Sequence, residues 1–259
     1  MKKIFTISLA LLGQLIFAQY TTPNTGKTYS IADLDALTTD ISYDAATNTY
    51  TLNQDLTIAE TDIFLSDSDY TLAIAEGKLI TVVGQIIVNA PNQVLFTSTN
   101  PGTSYFKGVR LEENAIAKFS KFKMLYGGGL RALNSSFVMD KSEVSYQNSG
   151  AATGGAINFS RGNPIITNST FKHNITPVVG SGANQSVALT FENNYLEDNN
   201  KENSNRPQIN MGPSGENQTT IIKNNTIIGN RANTRVGGIS VSSLLSVISF
   251  AQIENNTIK

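Results

Sequence analysis

A nine-residue phrase rich in asparagine repeats four times in the C-terminal half of this 259-residue chain. It has the form apolar-x-Asn-(Ser/Asn)-x-apolar-x-x-Asn, and its copies begin at residues 166, 191, 222 and 253, which are 25, 31 and 31 residues apart. A regular period of this length is typical of solenoids, in which each repeat forms one coil and buries its apolar face against its neighbours.

The coils are predicted to consist of strands. The apolar residues do not hold a 3.6-residue period, and short β-rich runs are broken every few residues by Asn, Gly, Ser or Pro. A second, glycine-led phrase recurs at Gly127, Gly154 and Gly237. The sequence therefore predicts an all-β fold, a right-handed parallel β-helix with about three short strands in each coil.

Equivalent positions of the repeat are expected to stack. Two internal apolar ladders are predicted, the first formed by Ile166, Phe191, Ile222 and Ile253 and the second by Phe171, Leu196, Ile227 and Ile258. Asn tolerates the left-handed backbone that tight corners need, so Asn168, Asn193, Asn224, Asn255 and Asn230 are predicted to turn the chain. Of the 28 Asn, 21 follow residue 133, which ties them to the repeat.

The N-terminal 49 residues differ from the repeats. Residues 1–18 combine a basic start with an apolar run too short to span a bilayer, which indicates a signal peptide cleaved after Ala18 and a secreted or cell-surface protein. Residues 19–49 are predicted to be an N-terminal cap segment with a short helix; a mobile linker is the alternative. In that helix Ser30 is the expected N-cap, Asp33 completes a capping box, and the apolar face consists of Ile31, Leu34 and Leu37.

Residues 50–259 are predicted to form the β-helix, beginning with further strands before residue 105. The last copy of the phrase stops two residues short of its final Asn, so we expect the chain to be a fragment or a truncated product of a longer solenoid; a frayed natural terminus is the alternative.

Composition narrows the possible partners. The chain has no Cys, so a continuous core rather than disulfides must stabilise it. Without residues 1–18, 17 basic residues face 20 acidic ones, a balance that gives no reason to expect nucleic-acid binding. No second long apolar run follows the signal peptide, so the mature chain is not expected to span a membrane.

The phrases IKNNTIIGN, IENNTIK and GGAINF resemble the coils of right-handed parallel β-helix proteins of the pectate-lyase-like fold. The FAQ end of the leader and the stretch from DLTI to ITVVGQIIV resemble secreted β-helix proteins of Gram-negative bacteria, which often carry a C-terminal sorting domain. The resemblance is good over residues 105–259 and looser over 50–104. It implies a fold but no single activity, since the fold hosts lyases, hydrolases, epimerases and non-catalytic adhesins.

Enzymes of the pectate-lyase-like fold use characteristic sets of carboxylates, and the repeats do not show these sets. Lyases usually hold Ca²⁺ in a carboxylate cluster and use Lys or Arg as the base, and hydrolases place two or three Asp on one face. Asp140 and Asp198 are the only aspartates in the sequence after residue 105. We interpret the Glu192, Glu197, Asp198 and Glu202 cluster as an exposed loop face, the SDSD stretch at 66–69 as a turn, and His173 as a surface residue. No catalytic residue, metal site or cofactor is predicted.

One basic segment remains as a candidate site. Lys107, Arg110, Lys121 and Arg131 are the candidate glycan-binding residues, and the arginines of KGVRL and GGGLR are expected to stack on neighbouring coils. The alternative is ordinary solubilising charge. The sequence thus favours a secreted, non-catalytic β-helix, structural or adhesive, that binds a polysaccharide or a cell-surface partner. The alternative function is a polysaccharide lyase or glycoside hydrolase; a non-functional fragment of a larger adhesin is a third possibility.

Overall fold

A computed structural model describes residues 19–202, 204–214, 217–229, 238–244 and 246–259. These residues form nine stacked coils of short strands, one of which adds a seven-residue helix. The chain is an all-β parallel β-helix, as the repeat predicted. The predicted signal peptide, residues 1–18, lies outside the described residues, as does Asn230.

The elements follow one another coil by coil. The first three coils contain β1 (Tyr20–Thr21), β2 (Thr28–Tyr29), α1 (Ile31–Leu37), β3 (Ile41–Asp44), β4 (Thr49–Leu52), β5 (Leu56–Ile58), β6 (Ile63–Ser66), β7 (Tyr70–Ile74), β8 (Leu79–Val82) and β9 (Gln85–Ser98). The middle three contain β10 (Gly108–Leu111), β11 (Ile116–Leu125), β12 (Leu130–Ala132), β13 (Ser136–Asp140), β14 (Glu143–Ser145), β15 (Ile157–Phe159), β16 (Ile165–Thr167) and β17 (Thr170–Lys172). The last three contain β18 (Val179–Ser181), β19 (Thr190–Glu192), β20 (Tyr195–Glu197), β21 (Ile209–Pro213), β22 (Thr219–Lys223), β23 (Thr226–Ile228), β24 (Ile239–Ser243), β25 (Phe250–Glu254) and β26 (Thr257–Ile258).

Each coil contributes one strand to each of three parallel sheets. Sheet 1 has the order β1-β5-β8-β10-β12-β15-β18-β21-β24. Sheet 2 runs β2-β6-β9-β11-β13-β16-β19-β22-β25, and sheet 3 runs β4-β7-β9-β11-β14-β17-β20-β23-β26. The long strands β9 and β11 bend around a corner and belong to both sheets 2 and 3. β3 pairs antiparallel with β4.

Both predicted apolar ladders are present in register. Ile166, Phe191, Ile222 and Ile253 are consecutive cross-strand partners in sheet 2, and Phe171, Leu196, Ile227 and Ile258 are partners in sheet 3. The first three members of each ladder are fully buried in one continuous core. Burial of stacked branched and aromatic side chains is the main stabilising contribution in a chain without disulfides.

The predicted asparagine corners are confirmed at the third position of the phrase. Asn168, Asn193, Asn224 and Asn255 all have left-handed backbone, with φ between 49° and 58°. The asparagine that closes the phrase has another role, because Asn174 and Asn199 are buried and outside the left-handed set. The residue before each of them, His173 or Asp198, turns the chain instead.

A buried column of side chains runs along the corner between sheets 2 and 3. It consists of the fourth residue of each phrase, namely Ser169, Asn194, Asn225 and Asn256. The Asn225 side-chain oxygen accepts from the backbone N–H of Asn194 at 2.9 Å, and the Asn256 oxygen accepts from that of Asn225 at 3.0 Å. Each Asn side-chain amide also donates to a backbone carbonyl of the previous coil, at 2.8–3.1 Å. The column thereby satisfies buried backbone groups that the two-residue corner leaves without strand partners.

The helix predicted near the N-terminus is confirmed, with one exception. Ser30 caps α1, and its side chain and that of Asp33 form the reciprocal capping box. Ile31 and Leu34 are buried against the core, whereas Leu37 is 50% exposed and does not belong to the packed face. Leu37 is the last residue of the helix, where the chain turns away towards β3.

The stack begins earlier than the expected boundary at residue 50. Tyr20–Thr21 pairs with Leu56–Thr57 in sheet 1, and Thr28–Tyr29 pairs with Ile63–Phe64 in sheet 2. Residues 19–49 therefore supply the first coil as well as the helix. Within the described residues, no helix has the length and apolar character needed to cross a membrane.

Candidate functional site

The outer face of sheet 1 carries a row of polar side chains in register. Arg110, Arg131 and Asn158 occupy equivalent positions on β10, β12 and β15, and the row continues through Gly180 and Asn210. The residues on either side of Arg131 in β12, Leu130 and Ala132, are buried. Strand alternation therefore fixes the arginine on the outside.

A cleft of about 430 Å³ lies over the middle of this row. Sheet 1 forms its floor, and the turns at 146–156, 182–189 and 204–208 contribute to its walls. Its lining consists of Arg131, Thr153, Gly154, Asn158, Ser181, Gly182, Ala183, Gln185, Arg206 and Asn210. The cleft has the volume of a small-molecule site, for which the usual range is roughly 300–1,000 Å³.

Gly180 brings one wall of the cleft close to its floor. A Cβ at this position would lie 2.5 Å from the carbonyl oxygen of Gly154, so no larger residue fits without moving the turn. Within the floor, the Asn158 side-chain amide donates to the Gly180 carbonyl at 3.1 Å and joins β15 to β18. Floor and wall are therefore positioned by backbone contact.

Arg131 brings a positive charge to the floor of the cleft. Its Nε is buried and has no hydrogen-bond partner among the described residues. The other arginine of the lining, Arg206, donates to the Glu202 carboxylate at 2.6 Å and to the Ser204 hydroxyl. A guanidinium stays protonated in proteins, so a buried, unpaired N–H of Arg131 favours an anionic ligand.

The described lining contains two arginines and no Asp, Glu or His. Among the described residues, no group of three or more His, Cys, Asp or Glu side chains lies close enough to hold a metal ion. The side chains that reach the cleft are hydrogen-bonding amides and hydroxyls, such as Asn158, Asn210 and Gln185. This arrangement can bind hydroxyl and carboxylate groups, but it offers no pair of side chains for general acid–base chemistry.

The four candidate basic residues do not form one cluster. Arg110 is the cross-strand neighbour of Arg131, but its Nε is 2.6 Å from the Glu112 carboxylate, which neutralises its charge. Lys107 is exposed in the turn that leads into β10. Lys121 lies at the corner between sheets 2 and 3, where its Nζ donates to the Pro91 carbonyl at 2.5 Å.

Three of the four members of the acidic cluster, Glu197, Asp198 and Glu202, are engaged in ion pairs. Glu197 pairs with Lys172 at 2.9 Å, and the hydrogen bond from this lysine is the main cause that lowers the pKa of the Glu197 carboxyl. Glu202 pairs with Arg206, as described above, and Asp198 contacts Lys201 at 3.3 Å and His173 at 3.0 Å. These contacts are those of a charged surface whose carboxylates already have partners.

A row of aromatic rings lies along the corner between sheets 3 and 1 and was not predicted from the sequence. Tyr105, Tyr126, Tyr146 and His173 lie in successive coils, with ring centroids 6.4, 5.0 and 5.1 Å apart. The signal was one aromatic residue every 20 to 27 residues. The Tyr126 and Tyr146 rings are stacked at 16°, Tyr105 is tilted against Tyr126 at 51°, and His173 packs against Tyr146 at 36°. His173 is accordingly half-buried rather than a free surface residue.

The best-defined candidate site is therefore the cleft over sheet 1, with Arg131 at its floor. Its strands are held by the parallel stack, and its walls come from the least regular parts of the chain. Comparison of the chain with protein-family models, curated proteins and solved structures finds no match.

Proposed function

We propose that this chain is a secreted, non-catalytic β-helix of the pectate-lyase-like kind, which acts at the cell surface as an adhesive protein. In this proposal the cleft over sheet 1 holds an acidic glycan. The single observation that carries it is the buried Nε of Arg131, which has no partner in a cleft whose described lining lacks carboxylates.

The chemistry of arginine favours a sugar carboxylate as the ligand. A planar guanidinium donates two parallel hydrogen bonds to a carboxylate, and such charge-assisted bonds are stronger than neutral ones. The amides of Asn158, Asn210 and Gln185 can donate to and accept from the hydroxyl groups of the same sugar or its neighbour. Successive strands lie about 4.8 Å apart, so an extended glycan can contact several coils.

Binding without turnover is the simplest use of this lining. A hydrolase needs an acid and a base, and a lyase of this kind needs carboxylates that hold Ca²⁺ beside its Lys or Arg base. Apart from Arg131 and Arg206, the described lining supplies no titratable group. The enzymatic alternative therefore requires an acid or a set of carboxylates from outside this lining.

The test is a binding titration of the purified protein with a uronic-acid oligosaccharide and with a neutral oligosaccharide of the same length. We expect the uronic-acid probe alone to bind. Arg131→Gln should weaken that binding by about ten- to a hundredfold, because one charge-assisted hydrogen-bond pair is lost. Arg131→Lys should also bind weakly, since an ammonium cannot reproduce the two parallel bonds.

Arg110→Gln is the matched control, since this neighbouring arginine on the same sheet is already paired with Glu112. Its expected loss of affinity is less than about threefold. Equal binding of neutral and acidic probes, or full binding by Arg131→Gln, would refute the proposal. The release of new reducing ends or unsaturated sugars would instead favour the lyase or hydrolase alternative, and turnover should then vanish in Arg131→Ala.

A further inference from the structure

A second cationic site lies at the corner between sheets 2 and 3, away from the cleft over sheet 1. Here Lys121, Lys123 and Lys141, which we call the lysine corner, line one cavity of about 280 Å³. The rest of the lining is polar and consists of Asn92, Gln93, Ser142, Glu143, Asn168 and Thr170.

Two corner positions here hold Lys in place of the Asn that turns the later coils. Lys121 and Lys141 have left-handed φ values of 54° and 47°, and they hold the corner position that Asn occupies in the four following coils. A left-handed residue other than Gly, Asn or Asp is disfavoured by roughly 1–2 kcal/mol. Asn would therefore serve the fold better at both positions, and the departure from the repeat calls for a reason outside the backbone.

The Asp69 carboxylate borders the lysine corner, where it accepts from the Asn92 side chain and from the backbone N–H groups of Asn92 and Gln93 at 2.6–2.8 Å. The lining itself contains three lysines and one carboxylate. Lys123 pairs with that carboxylate, Glu143, at 3.2 Å. Lys121 donates to a neutral backbone carbonyl, and Lys141 approaches Asp140 only to 4.0 Å. Asp140 also accepts hydrogen bonds from the Asn168 and Thr167 side chains at 2.6 and 2.8 Å. Much of its hydrogen-bond acceptor capacity is therefore used by groups other than Lys141.

Ammonium groups suit a different anion from the one that Arg131 favours. Each is a compact point charge with three donors and no preferred plane, so several of them can surround a tetrahedral oxyanion from different sides. The Thr170 hydroxyl lines the same cavity and can bind a sugar hydroxyl. The side-chain amides of Asn92 and Asn168 donate to Asp69 and Asp140 at 2.6 Å, so they offer a sugar mainly their oxygens. From this geometry we propose that the lysine corner binds the sulfate or phosphate ester group of a sugar.

This inference concerns another face of the molecule than the proposed glycan cleft and does not depend on it. The probes are glucose 6-sulfate, glucose 6-phosphate, glucose and inorganic sulfate, each titrated at low salt by NMR chemical-shift changes or calorimetry. At least one ester should bind, glucose should not, and inorganic sulfate should bind more weakly than the ester. Raising the salt concentration should weaken binding, because the charges are exposed.

Lys121→Asn and Lys141→Asn are the informative variants, since each introduces the residue that turns the later coils. Each should weaken binding about three- to fivefold, and the double variant should lose about tenfold or more. Their thermal unfolding midpoints should equal or exceed that of the parent, which shows that the fold is intact. Lys118→Asn, an exposed lysine on β11 outside this cavity, is the control and should bind normally.

Three results would overturn the inference. The first is unchanged affinity in the double variant, and the second is inorganic sulfate that binds as tightly as the esters. The third is a loss of ester binding in Arg131→Gln with full binding in the double variant, which would locate the ligand in the cleft over sheet 1. In that case the proposed glycan cleft would stand while the lysine corner would not.

Discussion

The two adjacent asparagines of each repeated phrase have different physical roles. Asn224 turns the backbone, with φ of 56°, and its side chain lies at the exposed corner. Asn225 is buried, and its side chain contacts both neighbouring coils. One residue thus meets a conformational requirement, and the next one meets a hydrogen-bonding requirement of the interior.

Replacing each asparagine separately should distinguish these roles. Asn225→Ala leaves the Asn194 N–H and the Phe191 carbonyl without partners in the interior, so the free energy of unfolding should fall by about 2–4 kcal/mol. Asn224→Gly still allows the left-handed corner, so the free energy of unfolding should change by less than about 1 kcal/mol. Urea unfolding followed by circular dichroism measures both. A loss in Asn225→Ala no larger than that in Asn224→Gly would contradict the assigned roles.

The left-handed corners could be predicted from the sequence because Asn is one of the few residues that tolerate this backbone. The buried column could not be assigned in the same way. In the phrase Asn-Asn the two letters are identical, and only the register of the neighbouring coil decides which one faces inward. Ser169 in the same column shows that a hydroxyl can also accept from the previous coil, at 3.1 Å, which further dilutes the pattern.

At the scale of single elements, Asp62 joins the first coil to the second. It lies just before β6, and its carboxylate accepts from the backbone N–H groups of Asn24, Thr25 and Lys27 at 2.8, 2.9 and 3.2 Å. Burial alone would raise the pKa of Asp62, but these hydrogen bonds and one from the Thr22 hydroxyl outweigh it and hold the pKa below its usual value.

This lowered pKa predicts an acid-sensitive first coil. Because the folded state holds the Asp62 proton more weakly than the unfolded chain, the carboxylate contributes stability above the unfolded pKa of about 4, and that contribution is lost as the pH falls through the folded pKa. The free energy of unfolding should therefore decrease more steeply between pH 5 and 3, both approximate limits, in the parent than in Asp62→Asn. Parallel pH profiles of the two proteins would disprove the role of Asp62.

The N-terminal helix is the element whose first residue the sequence predicted best. Ser30 and Asp33 stand at capping-box spacing, and this local hydrogen-bond chemistry is independent of the remaining fold. The first coil was not predicted, since β1 and β2 contain two residues each and make no apolar pattern of their own. They become strands because β5 and β6 offer free edges in register.

On the scale of the whole molecule, stability comes from contacts between successive coils. Equivalent positions of a ladder can therefore differ in energy when they differ in burial. Ile222 is fully buried between Phe191 and Ile253, whereas Ile253 occupies the same repeat position but is 47% exposed.

This difference predicts unequal effects of the same substitution. Ile222→Ala should lower the free energy of unfolding by about 2–5 kcal/mol through lost burial and a residual cavity. Ile253→Ala should lower it by less than about 1.5 kcal/mol, because less apolar area is removed from water in the parent. Thermal and urea unfolding of both variants provide the measurement. Equal losses at the two positions would indicate that Ile253 is covered in solution.

The candidate site could be predicted only in part. The arginines of two glycine-led phrases were expected to stack on neighbouring coils, and Arg110 and Arg131 are cross-strand partners. The pairing of Arg110 with Glu112 and the walls around Arg131 did not follow from the repeat. Those walls come from turns of unequal length, whose conformations depend on contacts that no periodic pattern encodes.

The lengths of the corners determine where this molecule can accept insertions. From β13 onward, every corner between sheets 2 and 3 has two residues, locked by the buried column. The corners on either side of sheet 1 range from three to eleven residues over the same coils. Loops can therefore lengthen beside sheet 1 without disturbing the stack, and sheet 1 is the face that carries the cleft. Changes in loop length can therefore reshape the walls of the cleft while the ladders and the corner between sheets 2 and 3 stay unchanged.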